Sequence, residues 1–180
     1  MRYRRANIEG GTYFFTVVTF KREKFLTQPD NVSLLREAFK VVMKKHPFII
    51  DAFILLPDHL HCIWSLPEND NDFSNRWRLI KSYFSRNCNK KYKQKPSEVR
   101  KRKKEQAIWQ RRFWEHLIRD DDDYKTHVEY IHYNPVKHHL AAAPIYWEYS
   151  SFHKYVQKGV YSKDWGVSEE IVFDQRIGGE

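Results

Sequence analysis

The triplet His59-Leu60-His61 carries two imidazoles two residues apart. In a strand, side chains at i and i+2 leave the same face. Both rings then project together, and Leu60 enters the opposite layer. Two histidines on one rigid strand can hold a divalent cation and leave positions open for a substrate oxygen. The same pair also arises by chance as two half-exposed strand residues. Its setting strengthens the metal reading: an apolar stretch runs into it, Pro57-Asp58 turns just before it, and Cys62-Ile63-Trp64 carries on after it.

The second chemical group is Tyr130, in Val128-Glu129-Tyr130-Ile131-His132-Tyr133-Asn134-Pro135. A phenol, with a pKa of about 10, is a poor nucleophile at neutral pH. A metal that binds a target phosphate makes its attack feasible by neutralising the phosphate and stabilising the leaving oxygen. Asn134, four residues on, shares a helical face with Tyr130 if the helix persists, and its amide oxygen could be a third ligand. Equally, Asn134 could cap a new helix ahead of Pro135, with the preceding helix ending near Tyr133.

These groups need a scaffold. Thr12 to Phe20 is dense in β-branched and aromatic residues and reads as a strand. Val32, Leu35, Ala38, Phe39, Val42 and Met43 then recur at helical steps, and that helix ends before His46-Pro47. Phe48 to Leu56 and His59 to Leu66 form a hairpin. Asp72-Phe73-Ser74 opens an amphipathic helix through Phe73, Trp77, Ile80 and Phe84, with Trp77 in the core. Phe113 to Arg119 is a fourth strand, and Asp120 to Asp123 caps the helix that bears Tyr130. Strand, helix, strand, strand, helix, strand is the split βαβ order of an α+β ferredoxin-like antiparallel sheet, here with an added C-terminal helix. Residues 1–165 form one domain and 166–180 a tail. That tail holds Glu169, Glu170, Asp174 and Glu180, and could fold back over a basic groove.

The chain has 180 residues and a formal net charge of +9. Lys90 to Lys104 holds nine basic residues and one acid, so nearly all the excess is local. Such a block reads as a solvated loop or as a clamp on a phosphate backbone. Arg2, Arg4 and Arg5 make a second cluster, and Arg78, Lys81, Arg111 and Arg112 are further candidates for phosphate contact. Trp109 sits beside that last pair, where it could stack on an unpaired base. His116, His127, His132, His138 and His139 are further possible metal or phosphate ligands, each reading first as a surface histidine. Cys62 and Cys88 cannot build a disulfide framework, so a reducing compartment is the expectation. The longest apolar run, Ala52 to Leu56, is far shorter than the roughly 20 residues of a membrane span.

Together these residues carry a family resemblance. Leu56-Pro57-Asp58 followed by His59-Leu60-His61 resembles the histidine–hydrophobic–histidine (HUH) motif of single-strand DNA endonucleases. Trp109-Gln110-x-Arg112-Phe113-Trp114-Glu115-His116 and Tyr130-Ile131-His132-Tyr133-Asn134-Pro135-Val136-Lys137 resemble the single-tyrosine transposase branch. Tyr3-Arg4-Arg5 through Phe14, and Trp147 to His153, resemble REP-associated tyrosine transposases. The resemblance implies an HUH core and a divalent metal, Mg²⁺ or Mn²⁺, on His59 and His61, with Asn134 in the place of the branch's third ligand. It implies that Tyr130 attacks a DNA phosphodiester to leave a 5′-phosphotyrosine and a free 3′-OH, with Lys137 among the DNA contacts. The implied substrate is hairpin-bearing single-stranded DNA from repetitive extragenic palindromes, handled by a monomer in the bacterial cytoplasm without any membrane. The rival is a non-catalytic, domesticated protein that binds REP hairpins or RNA.

Overall fold

The computed structural model describes residues 8–168, 170–174 and 176–179. Four strands, β1 (Thr12–Val18), β2 (Ile49–Leu55), β3 (His59–Ser65) and β4 (Trp114–Leu117), form an antiparallel sheet of order β2-β3-β1-β4. The helices are α1 (Pro29–Lys45), α2 (Phe73–Asn87), α3 (Glu98–Arg102), α4 (Asp121–Lys137) and α5 (Phe152–Gln157). The expected ferredoxin-like α+β layout is the one observed.

Alternation along the strands builds two cores. Tyr13, Phe15 and Val17 of β1, with Leu60, Cys62 and Trp64 of β3, meet α1 and α2 on one face. Trp64 stacks on Trp77 at 4.3 Å between ring centroids, so Trp77 is core, as its place in the apolar stripe requires. Phe14 and Ile63 point the other way, toward Val128, Tyr130 and Ile131 of α4. His59 and His61 therefore leave β3 on the α4 side, with Leu60 on the other, as the two-residue period demands.

Helix starts follow local chemistry. Asp72 accepts a hydrogen bond from the Asn75 amide (3.0 Å) at the start of α2, and Asp120 accepts one from the Asp123 amide (2.8 Å) at the start of α4. One expectation is corrected here. The helix does not stop near Tyr133: α4 runs through Pro135 to Lys137, and Asn134 is not a helix cap. A proline inside a helix costs about 3 kcal/mol because a backbone bond is lost. Burial of Val128, Tyr130, Ile131 and Tyr133 against the sheet offsets that cost. The helix closes only at His139, whose backbone is left-handed (φ 56°).

The basic segment is also more structured than a loop. Ser97 accepts from the Arg100 amide and starts α3. The Arg100 side chain is buried, donating to the carbonyls of Gln106 (3.1 Å) and Trp109 (3.2 Å) and lying over the Phe20 ring. One arginine of the block thus serves as an internal tie. The outer edge of β2 is covered by the chain after α4. Leu55 N–H donates to the Tyr149 carbonyl (2.9 Å) and Ser151 N–H to the Phe53 carbonyl (2.8 Å). Covering an edge removes its unpaired backbone groups as a template for another strand. Among the described residues, no helix is long and apolar enough to cross a membrane.

Candidate active site on the α4 face of the sheet

Both histidines of the triplet are buried, His59 at 2% and His61 at 0% exposure. Each is oriented by a partner on its Nδ1. Asp58 Oδ1 lies 2.7 Å from His59 Nδ1 and Thr16 Oγ1 lies 2.9 Å from His61 Nδ1. The single Thr16 hydroxyl proton goes to the Gly178 carbonyl, so toward His61 the hydroxyl oxygen accepts. Both rings then carry a proton on Nδ1, the tautomer of histidines that bind a metal through Nε2. Burial opposes the charge of Asp58, but His59 and Arg22, whose Nη1 is 3.2 Å away, outweigh it and hold the carboxyl at about 2. Asp58 is thus an anion at neutral pH and fixes the His59 tautomer.

α4 supplies the facing wall. Tyr130, Asn134 and His138 stand four residues apart and share one side of the helix. The Tyr130 ring meets His61 at 5.3 Å between centroids, and the His138 ring meets His59 at 5.2 Å. Asn134 lies midway along that stripe and is fully buried, yet neither its amide oxygen nor its nitrogen has a hydrogen-bond partner among the described residues. A buried amide left in that state costs about 1–3 kcal/mol. A cation bound to Oδ1 would relieve part of it. The donor set of two imidazole Nε2 atoms and one amide oxygen suits a divalent metal.

Lys137 reaches back over Tyr130. Its ammonium donates to the phenol oxygen (2.9 Å) and sits 4.7 Å from the ring centroid. The residue expected on DNA therefore touches the candidate nucleophile. The C-terminal tail covers the same spot. Phe173 packs edge-on against Tyr130 (5.4 Å), and Gly178 lies so close that a Cβ built on it would stand 2.1 Å from the phenol oxygen. The tail folds over this active face rather than over a basic groove.

The other candidates distribute as follows. Arg78 and Lys81, from α2, and Arg111 line a groove of about 760 Å³ that also holds Arg86, Lys103 and Lys104. Lys81 donates to the carbonyls of Gln110 (2.6 Å) and Arg111 (3.2 Å), and burial, with Arg100 nearby, lowers its ammonium to about 8. Arg112 is exposed next to this groove. Arg2, Arg4 and Arg5 lie outside the described residues. Trp109 is buried against Phe84 and offers no stacking surface for a base.

His127 and His132 are buried rather than on the surface. His116, Asp123 and His127 also form a cluster with ligand atoms within 4.8 Å, the single such group among the described residues. Burial opposes the charge of Asp123, but hydrogen bonds from Arg119 and His116 hold it at about 2. Sequence reasoning did not single out Thr16, gave Asp58 no role beyond the turn before the histidines, and named His138 only among several possible ligands. The eight-residue spacing from Tyr130 marks His138 only once α4 is known to survive Pro135.

Comparison with known proteins now defines the class. Residues 7–134 match the family model described as "Transposase IS200 like". The chain is 45% identical over 164 residues, 91% of its length and 89% of the relative's, to the REP-associated tyrosine transposase of Escherichia coli K12. It is 44% identical over 170 residues to a homologue from Haemophilus influenzae Rd. A solved structure described as a REP-associated tyrosine transposase bound to a REP hairpin is 41% identical, covers 97% of this chain and 99% of its own, and superposes with a TM-score of 0.76. The chain belongs to the IS200-like transposases and, within them, to the REP-associated tyrosine transposases, enzymes that cut and rejoin DNA.

Proposed function

We propose that this chain is a metal-dependent single-strand endonuclease and strand transferase acting on REP hairpin DNA through a 5′-phosphotyrosine on Tyr130. The observation that carries the reading is the meeting of Tyr130 with His61 beside a fully buried Asn134 whose amide has no hydrogen-bond partner among the described residues. His59, His61 and Asn134 would hold the ion, Mg²⁺ or Mn²⁺, and when bound it would supply charge neutralisation at the scissile phosphate.

Tyr130 Oη gives up its proton and attacks phosphorus, the P–O3′ bond breaks, and the 3′ oxygen takes up a proton and leaves as a hydroxyl, so no net proton is gained or lost. In the reverse step another 3′-OH attacks the phosphotyrosine and releases the phenol, so the bond energy is conserved and no nucleotide cofactor is required. Lys137 holds positive charge at the phenol oxygen in both directions. Asp58 and Thr16 keep the histidine Nε2 atoms turned to the site. Arg78, Lys81, Arg111 and Arg112 form the flank that meets DNA phosphates, and counterion release there makes binding depend on salt. The covered β2 edge supports action as a monomer.

The test is a denaturing gel of end-labelled single-stranded DNA carrying a REP palindrome and its flanks, with protein and Mn²⁺. Wild type should give a slow, protease-sensitive adduct. Tyr130→Phe and His59→Ala/His61→Ala should bind the hairpin and give none. Binding without any adduct across metals and flank sequences would replace this reading with that of a non-catalytic hairpin binder.

A further inference from the structure

A second aromatic side chain lies beside Tyr130 beneath the glycines of the tail. Gly178 stands on the phenol, and Gly179 (φ +60°) stands on the half-buried Trp114. A Cβ built on Gly179 would lie 2.6 Å from Cδ1 and 2.7 Å from Cδ2 of the indole, and closer still to the Cγ between them. Near-equal distances to atoms on either side of Cγ put that position over the face of the ring, not at its edge. Successive Cα atoms are about 3.8 Å apart, so a π-face lies next to the candidate nucleophile.

The sheet register sets this placement. Thr16 of β1 pairs with His61 of β3 and with Trp114 of β4, so the three side chains form one row on the α4 face. Along that row the tail offers a carbonyl oxygen, that of Gly178, to the Thr16 hydroxyl, and a unit without a side chain, Gly179, to the indole. An unpaired nucleotide offers the same pair of groups, a phosphate oxygen and a flat base. A cavity of about 620 Å³ opens beside Trp114. Of the charged groups in its wall, Arg119 is paired with Asp123 and Arg176 with Asp174, which leaves Asp120 and Asp122 to set its sign. A negative wall repels a phosphate chain and accepts the uncharged part of a nucleotide, its base.

We infer that Trp114 is the stacking platform for the unpaired base beside the scissile phosphate, with Gly179 in the place that this base takes. This rests on the reading of Tyr130 as the nucleophile. Every base has a π-face, so stacking tolerates any sequence. Trp114 therefore fixes where the strand lies against Tyr130 and leaves sequence recognition to other groups.

The measurement is the fluorescence of 2-aminopurine, which stacking quenches, placed in turn on each side of the mapped cut in a REP hairpin strand. The full chain carries Tyr130→Phe, so that it binds without cutting, and then Trp114→Phe, Trp114→Leu or Gly179→Ala as a second change. Binding should quench the probe at one of the two positions. Trp114→Phe and Gly179→Ala should keep the quenching, and Trp114→Leu should lose it. With Tyr130 intact, Trp114→Leu should form adduct about 10- to 100-fold more slowly, the loss of one stacked base. Its circular dichroism and its affinity for a hairpin without that flank should match wild type. A probe left unquenched at both positions, even in Gly179→Ala, with Trp114→Leu forming adduct at the wild-type rate, would overturn this inference and leave the Tyr130 chemistry standing. Absence of any adduct in wild type would overturn the reading beneath it.

Discussion

Gly178→Ala isolates the effect of the tail on Tyr130, because it adds one methyl and removes no contact. Gly178 has φ +94°, and an added Cβ would lie 2.1 Å from the Tyr130 oxygen and 2.6 Å from its ring carbon Cζ. The backbone conformation alone costs an L-residue about 1–2 kcal/mol. Forcing a methyl into occupied space adds about 1–3 kcal/mol. The covered arrangement is therefore destabilised by about 2–5 kcal/mol, a shift of at least tenfold toward uncovered Tyr130 at 1.4 kcal/mol per decade. The assay is single-turnover adduct formation with saturating Mn²⁺ and labelled hairpin DNA. The rate should rise about tenfold or more, up to the ceiling set by the fully uncovered enzyme. Gly159→Ala is the control: it shares the positive φ (+73°) but its Cβ meets nothing within 4 Å among the described residues, and its rate should match wild type. A Gly178→Ala protein that binds the hairpin normally but forms adduct no faster than wild type would refute the argument that the tail covers the nucleophile.

Removing the Lys137 ammonium should slow adduct formation about a hundredfold in Lys137→Met, with Arg restoring part of the rate and hairpin affinity unchanged; equal rates would show that the contact with Tyr130 is packing alone. Arg78→Ala and Arg86→Ala should each weaken binding uniformly across hairpin sequences and reduce the slope of log affinity against log salt by about 0.9, measured by fluorescence anisotropy. Burial, with the His153 charge nearby, pushes His132 down to about 3, so it stays neutral in the fold while an unfolded histidine protonates near 6.5. Its contribution is complete above pH 6.5 and is lost as pH falls from 6.5 toward 3, with an upper bound of about 5 kcal/mol. Thermal melting should therefore fall more steeply from pH 7 to pH 5 in wild type than in His132→Gln, which can still donate to Ser151.

The order of elements, the two-faced strands and the pairing of His59 with His61 were legible in the sequence because they depend on local rules. A period of two sets the face of each strand residue, a period of 3.6 sets the helix stripe, and Asp72 and Asp120 cap helices with their own side chains. The resemblance added a role for Tyr130 that spacing alone could not assign, since helix tyrosines usually pack.

Local rules misled at Pro135. A proline preference normally ends a helix, but burial against the sheet outweighed it, and with the helix intact Asn134 and His138 turned inward together. Likewise Arg100 reads as one more charge in a solvated run and proves to be buried, with its guanidinium over the Phe20 ring. By itself the sequence determined which residues can do chemistry and which strand carries the histidines. Only the tertiary structure decided that α4 faces β3, that Asp58 and Thr16 set the histidine tautomers, and that a tail nearly fifty residues beyond Tyr130 lies on its hydroxyl. Those are contacts between distant segments, and their free energy comes from burial across the sheet rather than from any local preference of the chain.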